Sequence, residues 1–215
     1  MGTRFEDRAE AGRHLAAALG QFREHQDTVV LGLARGGIPV AAAAAAALRL
    51  PLGAVLVRKL GIPGHEETAY GALAWARGRT VRIINKPLLE RVLAHGVQQE
   101  WLDDVEQRER DELLRRVQRY PGTDMDVAGR TVLLLDDGLA TGATMRAAVE
   151  AMREGGAAAV VAAAPVGSID AEASLERVCD AVVCLHLPGR FRAVGSYYRH
   201  FRQLSDDDAV SLLAR

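Results

Sequence analysis

The stretch Val132-Leu-Leu-Leu-Asp-Asp-Gly-Leu-Ala-Thr-Gly-Ala-Thr144 ends an apolar run on two acids, Asp136 and Asp137, and continues into a loop of small and hydroxylated residues. The apolar run reads as a buried strand, and the residues from about Thr141 to Glu154 as the helix that follows it. A strand-to-helix turn of this kind lies at the carboxyl edge of a sheet, where open α/β folds bind ligands. Gly138 and Gly142 let backbone approach a ligand closely. Thr141, Gly142, Ala143 and Thr144 stand at the helix start, where free amides and the helix dipole favour an anion, and Gly138, Leu139 and Ala140 complete the loop. A threonine at a helix start is most often a stability cap. The acid pair sharpens the reading. Two carboxylates beside a phosphate repel it unless they have another task, and accepting hydrogen bonds from adjacent sugar hydroxyls, directly or through Mg²⁺, is such a task.

Two further segments carry suitable chemistry. Leu33-Ala-Arg-Gly-Gly-Ile38 follows an apolar run and opens a helix, so Arg35, Gly36 and Gly37 can present a guanidinium and backbone amides to a diphosphate; the alternative is a plain strand-to-helix turn. Arg58 and Lys59 close another strand-like run and place two cations at the same sheet edge, or are simply solvated charges. Gly61-Ile-Pro-Gly-His-Glu-Glu-Thr68 reads as a mobile loop; its His65 and Glu67 are weak candidates for proton transfer, solvation being the simpler role for His65.

These segments need a frame. Phe5 to Leu19 reads as a helix, Thr28 to Leu33 as a strand, Ile38 to Leu50 as an Ala-rich helix stopped by Pro51, and Gly53 to Arg58 as a second strand. Thr80 to Ile84, Thr131 to Leu135, Ala158 to Ala164 and Ala181 to Leu185 read as further strands, with a helix near Asp170 to Val178. Strands without apolar–polar alternation, each followed by a helix, predict a doubly wound α/β fold: a mostly parallel sheet with helices on both faces. The charged stretch 85–120, with Leu102, Val105, Leu113 and Val117 at helical spacing, predicts an inserted helical flap or pair of helices; packing on the body or at a dimer seam is the simpler role, and direct contact with substrate is the alternative. The whole, 1–215, reads as a single domain, with an aromatic- and glycine-rich segment at 186–203.

The 13-residue stretch resembles the binding motif for 5-phosphoribosyl-1-pyrophosphate (PRPP) in type I phosphoribosyltransferases, and the likeness extends from about Thr28 to Tyr198 apart from the insertion. It looks closest to a bacterial subgroup of undefined substrate, with which it shares the N-terminal helix and the Arg-Gly-Gly loop. The resemblance implies transfer of a 5-phosphoribosyl group between PRPP and a small nitrogenous base, with release of pyrophosphate and with Mg²⁺ as cofactor. It implies that Arg35, Gly36, Gly37, Arg58 and Lys59 hold the pyrophosphate, that residues 61–68 close over PRPP, and that Asp136 and Asp137 hold the ribose and metal. Leu187 to Tyr198 is similar to a base-binding hood, with Phe191 stacking on the base and Val194 reading its edge; a core role for Phe191 remains open. Related enzymes usually form dimers, so a homodimer is expected. Ala140 departs from the hypoxanthine-type pattern, which has an Asp there, and matches the adenine type.

Composition narrows the classes. A net charge of -1 gives no electrostatic case for nucleic-acid binding. No apolar stretch approaches the roughly 20 residues that span a bilayer, and the run Ala41 to Ala47 is too short. Cys179 and Cys184 read as buried free thiols, as expected in the cytoplasm. A non-catalytic PRPP or nucleotide sensor on the same fold is the rival reading. A phosphatase using the acid pair as metal ligands is a weaker one, because no obvious nucleophile precedes Thr141-Gly142.

Overall fold

The computed structural model describes residues 4–76 and 78–214, the side chains of Glu66 and Glu67 excepted. Along the chain it places α1 (Arg8–Ala18), a 3-10 turn at Gly20–Phe22, β1 (Thr28–Leu33), α2 (Gly37–Leu48), β2 (Leu52–Val55), β3 (Val57–Ile62), β4 (His65–Ala76) and β5 (Arg79–Ile84). There follow α3 (Lys86–Ala94), α4 (Gln99–Val117), β6 (Thr131–Leu135), α5 (Ala143–Glu154), β7 (Ala159–Ala164), α6 (Ile169–Leu175), β8 (Ala181–Cys184), a 3-10 turn at Val194–Tyr197 and α7 (Asp206–Leu213).

The central sheet has five strands in the order β2-β1-β6-β7-β8, all parallel. Its strands are apolar throughout because both faces are covered. In β6, Val132 and Leu134 face a core shared with α5 and α6, while Leu133 and Leu135 face α1 and α2. From β1 the chain moves outward to β2; from β6 it moves the opposite way to β7 and β8. The loops after β1 and β6 therefore part in opposite directions and leave a crevice at their carboxyl ends, the usual ligand position in such sheets.

Three expectations are corrected. The run 53–58 is not one strand: β2 pairs in the parallel sheet, then the chain turns away and β3 enters a separate antiparallel sheet, β3-β4-β5. The strand at 80–84 belongs to that second sheet, not to the parallel one. Residues 61–68 are not an open loop but the end of β3, a tight turn at Pro63-Gly64 and the start of β4, with Ile62 paired to His65. Pro63 presets the turn, and Gly64 at φ 78° supplies the positive φ it needs. β4 has no counterpart among the strands expected from sequence, and its Tyr70, Ala72, Leu73 and Ala74 are all buried.

The stretch 85–120 holds two helices, α3 and α4. Leu102, Val105 and Leu113 of α4 pack with Leu60, Tyr70 and Leu73 of the second sheet, and the Tyr70 hydroxyl donates to the Leu102 carbonyl at 3.0 Å. α1 starts at Arg8, later than the expected Phe5, because Asp7 caps it and accepts from the Glu10 amide at 2.8 Å. Phe5 instead pairs with Tyr198. α2 ends at Leu48, short of Leu50, with Arg49 in the left-handed region ahead of Pro51. α5 starts at Ala143 because Gly142, at φ 71°, breaks the helical path.

Candidate active site

A cavity of about 630 Å³ opens at the carboxyl ends of β1 and β6. Arg35 and Gly36 from the β1–α2 turn, Arg58 and Lys59 from β3, and Asp137 and Thr144 from the β6–α5 turn line it together. Residues far apart in sequence thus converge on one space. Six basic side chains (Arg8, Arg35, Arg58, Lys59, Arg116 and Arg202) face it against two acidic ones, Asp137 and Glu109. Such a lining attracts a polyanion.

The two loops touch because Gly36 and Gly37 lack side chains. A Cβ on Gly36 would run into the Asp137 carboxylate, and one on Gly37 into the Leu135 carbonyl and the Asp136 backbone. The Ala34–Arg35 peptide joining them to β1 is cis. Asp136 folds back on its own turn, its Oδ1 accepting from the Asp137 amide at 2.8 Å. Burial pushes the Asp136 carboxyl well above the usual carboxylate range, and the neighbouring Asp137 charge pushes the same way. Burial also raises Asp137, against the opposing pull of Arg8.

Within the β6–α5 turn the residues divide. The Leu139 amide donates to the Val166 carbonyl at 2.9 Å, its carbonyl accepts from the Ser168 amide, and its side chain is buried, so Leu139 is the anchor of the loop. Ser168 Oγ donates to the Ala140 carbonyl at 2.7 Å. Thr144 lines the large cavity, while Thr141 and Ala143 line a neighbouring one of about 480 Å³ that shares Lys59. Lys59 is exposed and makes no ion pair among the described residues, whereas Arg58 is held by Glu109 of α4 at 2.6 Å and Arg35 lies 3.7 Å from Asp206.

A family model described as a phosphoribosyl transferase domain matches residues 2–191. The chain belongs to that family. It is 43% identical over 213 residues to the Mycobacterium tuberculosis (strain ATCC 25618 / H37Rv) protein named "Putative phosphoribosyl transferase Rv0571c", a match covering 98% of this chain but 46% of that protein. The solved structure of TT1426 from Thermus thermophilus is similar throughout, with a TM-score of 0.82, 39% identity and 98% of each chain covered. The AQ2163 protein from Aquifex aeolicus, at 12% identity and a TM-score of 0.53 over 87% of this chain and 78% of that one, shares the fold.

In this phosphoribosyl transferase domain the segment 186–203 reaches the crevice through Phe201, Arg202 and Gln203. Phe191 and Val194, the expected base contacts, are not among the residues lining that cavity. Phe191 stacks on Tyr197, ring centroids 5.7 Å apart, and Val194 sits against Gly138, where a Cβ would meet its methyl groups. The glycine at 138 thus makes room for Val194. His65 is exposed at the hairpin turn, and the side chain of Glu67 lies outside the described residues.

Sequence reasoning missed Arg8, Glu109 and Arg116. Arg8 Nε donates to Asp137 Oδ2 at 2.8 Å, and the Tyr198 hydroxyl donates to the Asp137 carbonyl at 2.6 Å. No local signal marks Arg8, since its partner is 129 residues away. Glu109 and Arg116 were hidden among the many charges of α4.

No group of three or more His, Cys, Asp or Glu among the described residues is arranged to hold a metal alone. Asp137 offers hard oxygen donors to the cavity, whereas Asp136, its neighbour in sequence, does not line it. Hard oxygen donors suit Mg²⁺, which binds through one or two carboxylates while sharing the rest of its shell with substrate oxygens and water.

Proposed function

We propose that this domain binds PRPP and transfers its 5-phosphoribosyl group to a small nitrogenous base, or catalyses the reverse, as a cytoplasmic enzyme on a single domain. The observation that carries this reading is the convergence of Arg35, Gly36, Lys59, Asp137 and Thr144 on one cationic cavity. Arg35, Gly36, Gly37, Arg58 and Lys59 take the diphosphate. Asp136 and Asp137 take the ribose hydroxyls. Thr141 to Thr144, with Gly138 and Ala140, take the 5′-phosphate at the start of α5.

In such a transfer the bond from the anomeric carbon to the diphosphate oxygen breaks and its electron pair leaves with the diphosphate, while the base nitrogen bonds to that carbon and gives up its proton to the departing diphosphate or to water. Arg35 and Lys59 meet the charge that develops on the leaving group. Asp136 and Asp137 are the residues that would hold Mg²⁺, which supplies further neutralisation of the diphosphate when bound. Holding donor and acceptor in line supplies much of the rate.

A non-catalytic PRPP- or nucleotide-binding regulator is the second reading. It is favoured by the tight hairpin at Pro63-Gly64, where a closing loop was expected, and by Ala140 in place of an acid. Calorimetric titration with PRPP, with and without Mg²⁺, followed by assay of pyrophosphate release with a panel of bases, separates the readings. Mg²⁺-dependent binding with release supports the enzyme, and binding without release supports the regulator. No binding in either condition overturns the site. Size-exclusion chromatography tests the expected homodimer.

A further inference from the structure

Arg8 is oddly placed for a helix residue. It opens α1, where the positive end of the helix dipole disfavours a cation, and its side chain is only 10% exposed. A guanidinium withdrawn from water needs several partners to offset its desolvation, and Arg8 has three. Its Nε donates to Asp137 Oδ2 at 2.8 Å, its Nη1 donates to the Arg202 carbonyl at 3.0 Å, and its plane lies over the Phe201 ring, 3.9 Å from the centroid. The strand-like pairing of the two chain ends puts it there: the Phe5 amide donates to the Tyr197 carbonyl, and the Arg199 and His200 amides donate to the carbonyls of Phe5 and Glu6.

The consequence falls on Asp137. Its carbonyl is held by Tyr198 and its Oδ2 by Arg8, while its Oδ1 has no hydrogen-bond partner among the described residues. Only one carboxylate oxygen is left to a ligand, and its direction is set by the other. We propose that Arg8 is a positioning residue for sugar recognition: it fixes the Asp137 carboxylate so that Oδ1 accepts a ribose hydroxyl of PRPP. This rests on the reading of the crevice as a PRPP site. Arginine suits the role better than lysine, because its planar fork bonds Asp137 and the Arg202 carbonyl while stacking on Phe201.

A double-mutant cycle read by calorimetric titration with PRPP in the presence of Mg²⁺ tests it. Arg8→Met and Asp137→Asn are each expected to weaken binding about tenfold or more, as loss of a charged hydrogen bond does. If Arg8 acts through Asp137, the double variant binds no worse than Asp137→Asn, within about twofold. Arg8→Lys, which keeps the charge and one donor, recovers part of the loss and serves as the probe should Arg8→Met not fold, as judged by thermal unfolding. Wild-type affinity in both Arg8 variants, or losses that multiply in the double variant, overturns the inference while leaving the PRPP site intact. Failure of the wild-type protein to bind PRPP overturns both.

Discussion

At Gly36 and Asp137 the chemistry depends on an absence. The glycine leaves the space that the Asp137 carboxylate fills, so even one methyl group has a large effect. Gly36→Ala is expected to push the carboxylate aside and weaken PRPP binding about tenfold or more, while circular dichroism stays native, since its φ of -62° is open to any residue. Wild-type affinity would show that the two loops work independently. Asp137→Asn removes the charge without the shape, and should cost at least about 1.5 kcal/mol of PRPP affinity by titration.

Asp136 gives a prediction of opposite sign. Burial raises its carboxyl in the folded state, so the native protein holds more protons there than the unfolded chain. Stability then falls as pH rises above the unfolded value towards the raised one. Asp136→Asn should therefore raise the melting temperature of the metal- and ligand-free protein at pH 7, and the gain should shrink below about pH 4. It should also weaken PRPP binding. A variant less stable at neutral pH would contradict the assignment of an acid raised by burial.

At the scale of elements, the β6–α5 turn is held from outside itself. Ser168, between β7 and α6, caps α6 by accepting from the Ala171 amide at 3.1 Å and donates to the Ala140 carbonyl. Its amide and the Val166 carbonyl clamp Leu139 on both sides. Ser168→Ala loses the cap and the tether together and should cost about 1–2 kcal/mol in denaturant unfolding, with weaker PRPP binding by titration. A loss of stability alone would mean that the loop holds its shape without the tether.

For the whole molecule, the crevice is built by segments from both ends of the chain and from the middle. α1 brings Arg8, α4 brings Glu109 and Arg116, and the segment before α7 brings Phe201 and Arg202. The near-neutral chain concentrates positive charge in one place. PRPP affinity should consequently fall several-fold as ionic strength rises from about 0.05 to 0.5 M, because screening shortens to a few ångströms over that range. An affinity insensitive to salt would argue against the cationic lining as the source of binding. Among the described residues no helix is long and apolar enough to cross a membrane.

The motif after β6, the Arg-Gly-Gly turn after β1 and the strand–helix alternation that implies a mostly parallel sheet are legible in the chain, because each depends on neighbours in sequence. A continuous apolar run ending in acids and glycines means a strand doubly buried and then a turn, whatever lies beyond. The turn at Pro63-Gly64 carries an equally local signal, a proline and a glycine that suit a tight hairpin as well as an open loop. What the chain could not disclose is where elements meet. Whether residues 53–58 stay in one sheet, which aromatic of the C-terminal segment faces the crevice, and that Arg8 finds Asp137 are set by contacts between distant residues, competing for burial and for charge partners. Local periodicity supplies the strands and loops, and only the packed molecule decides which side chains share a cavity.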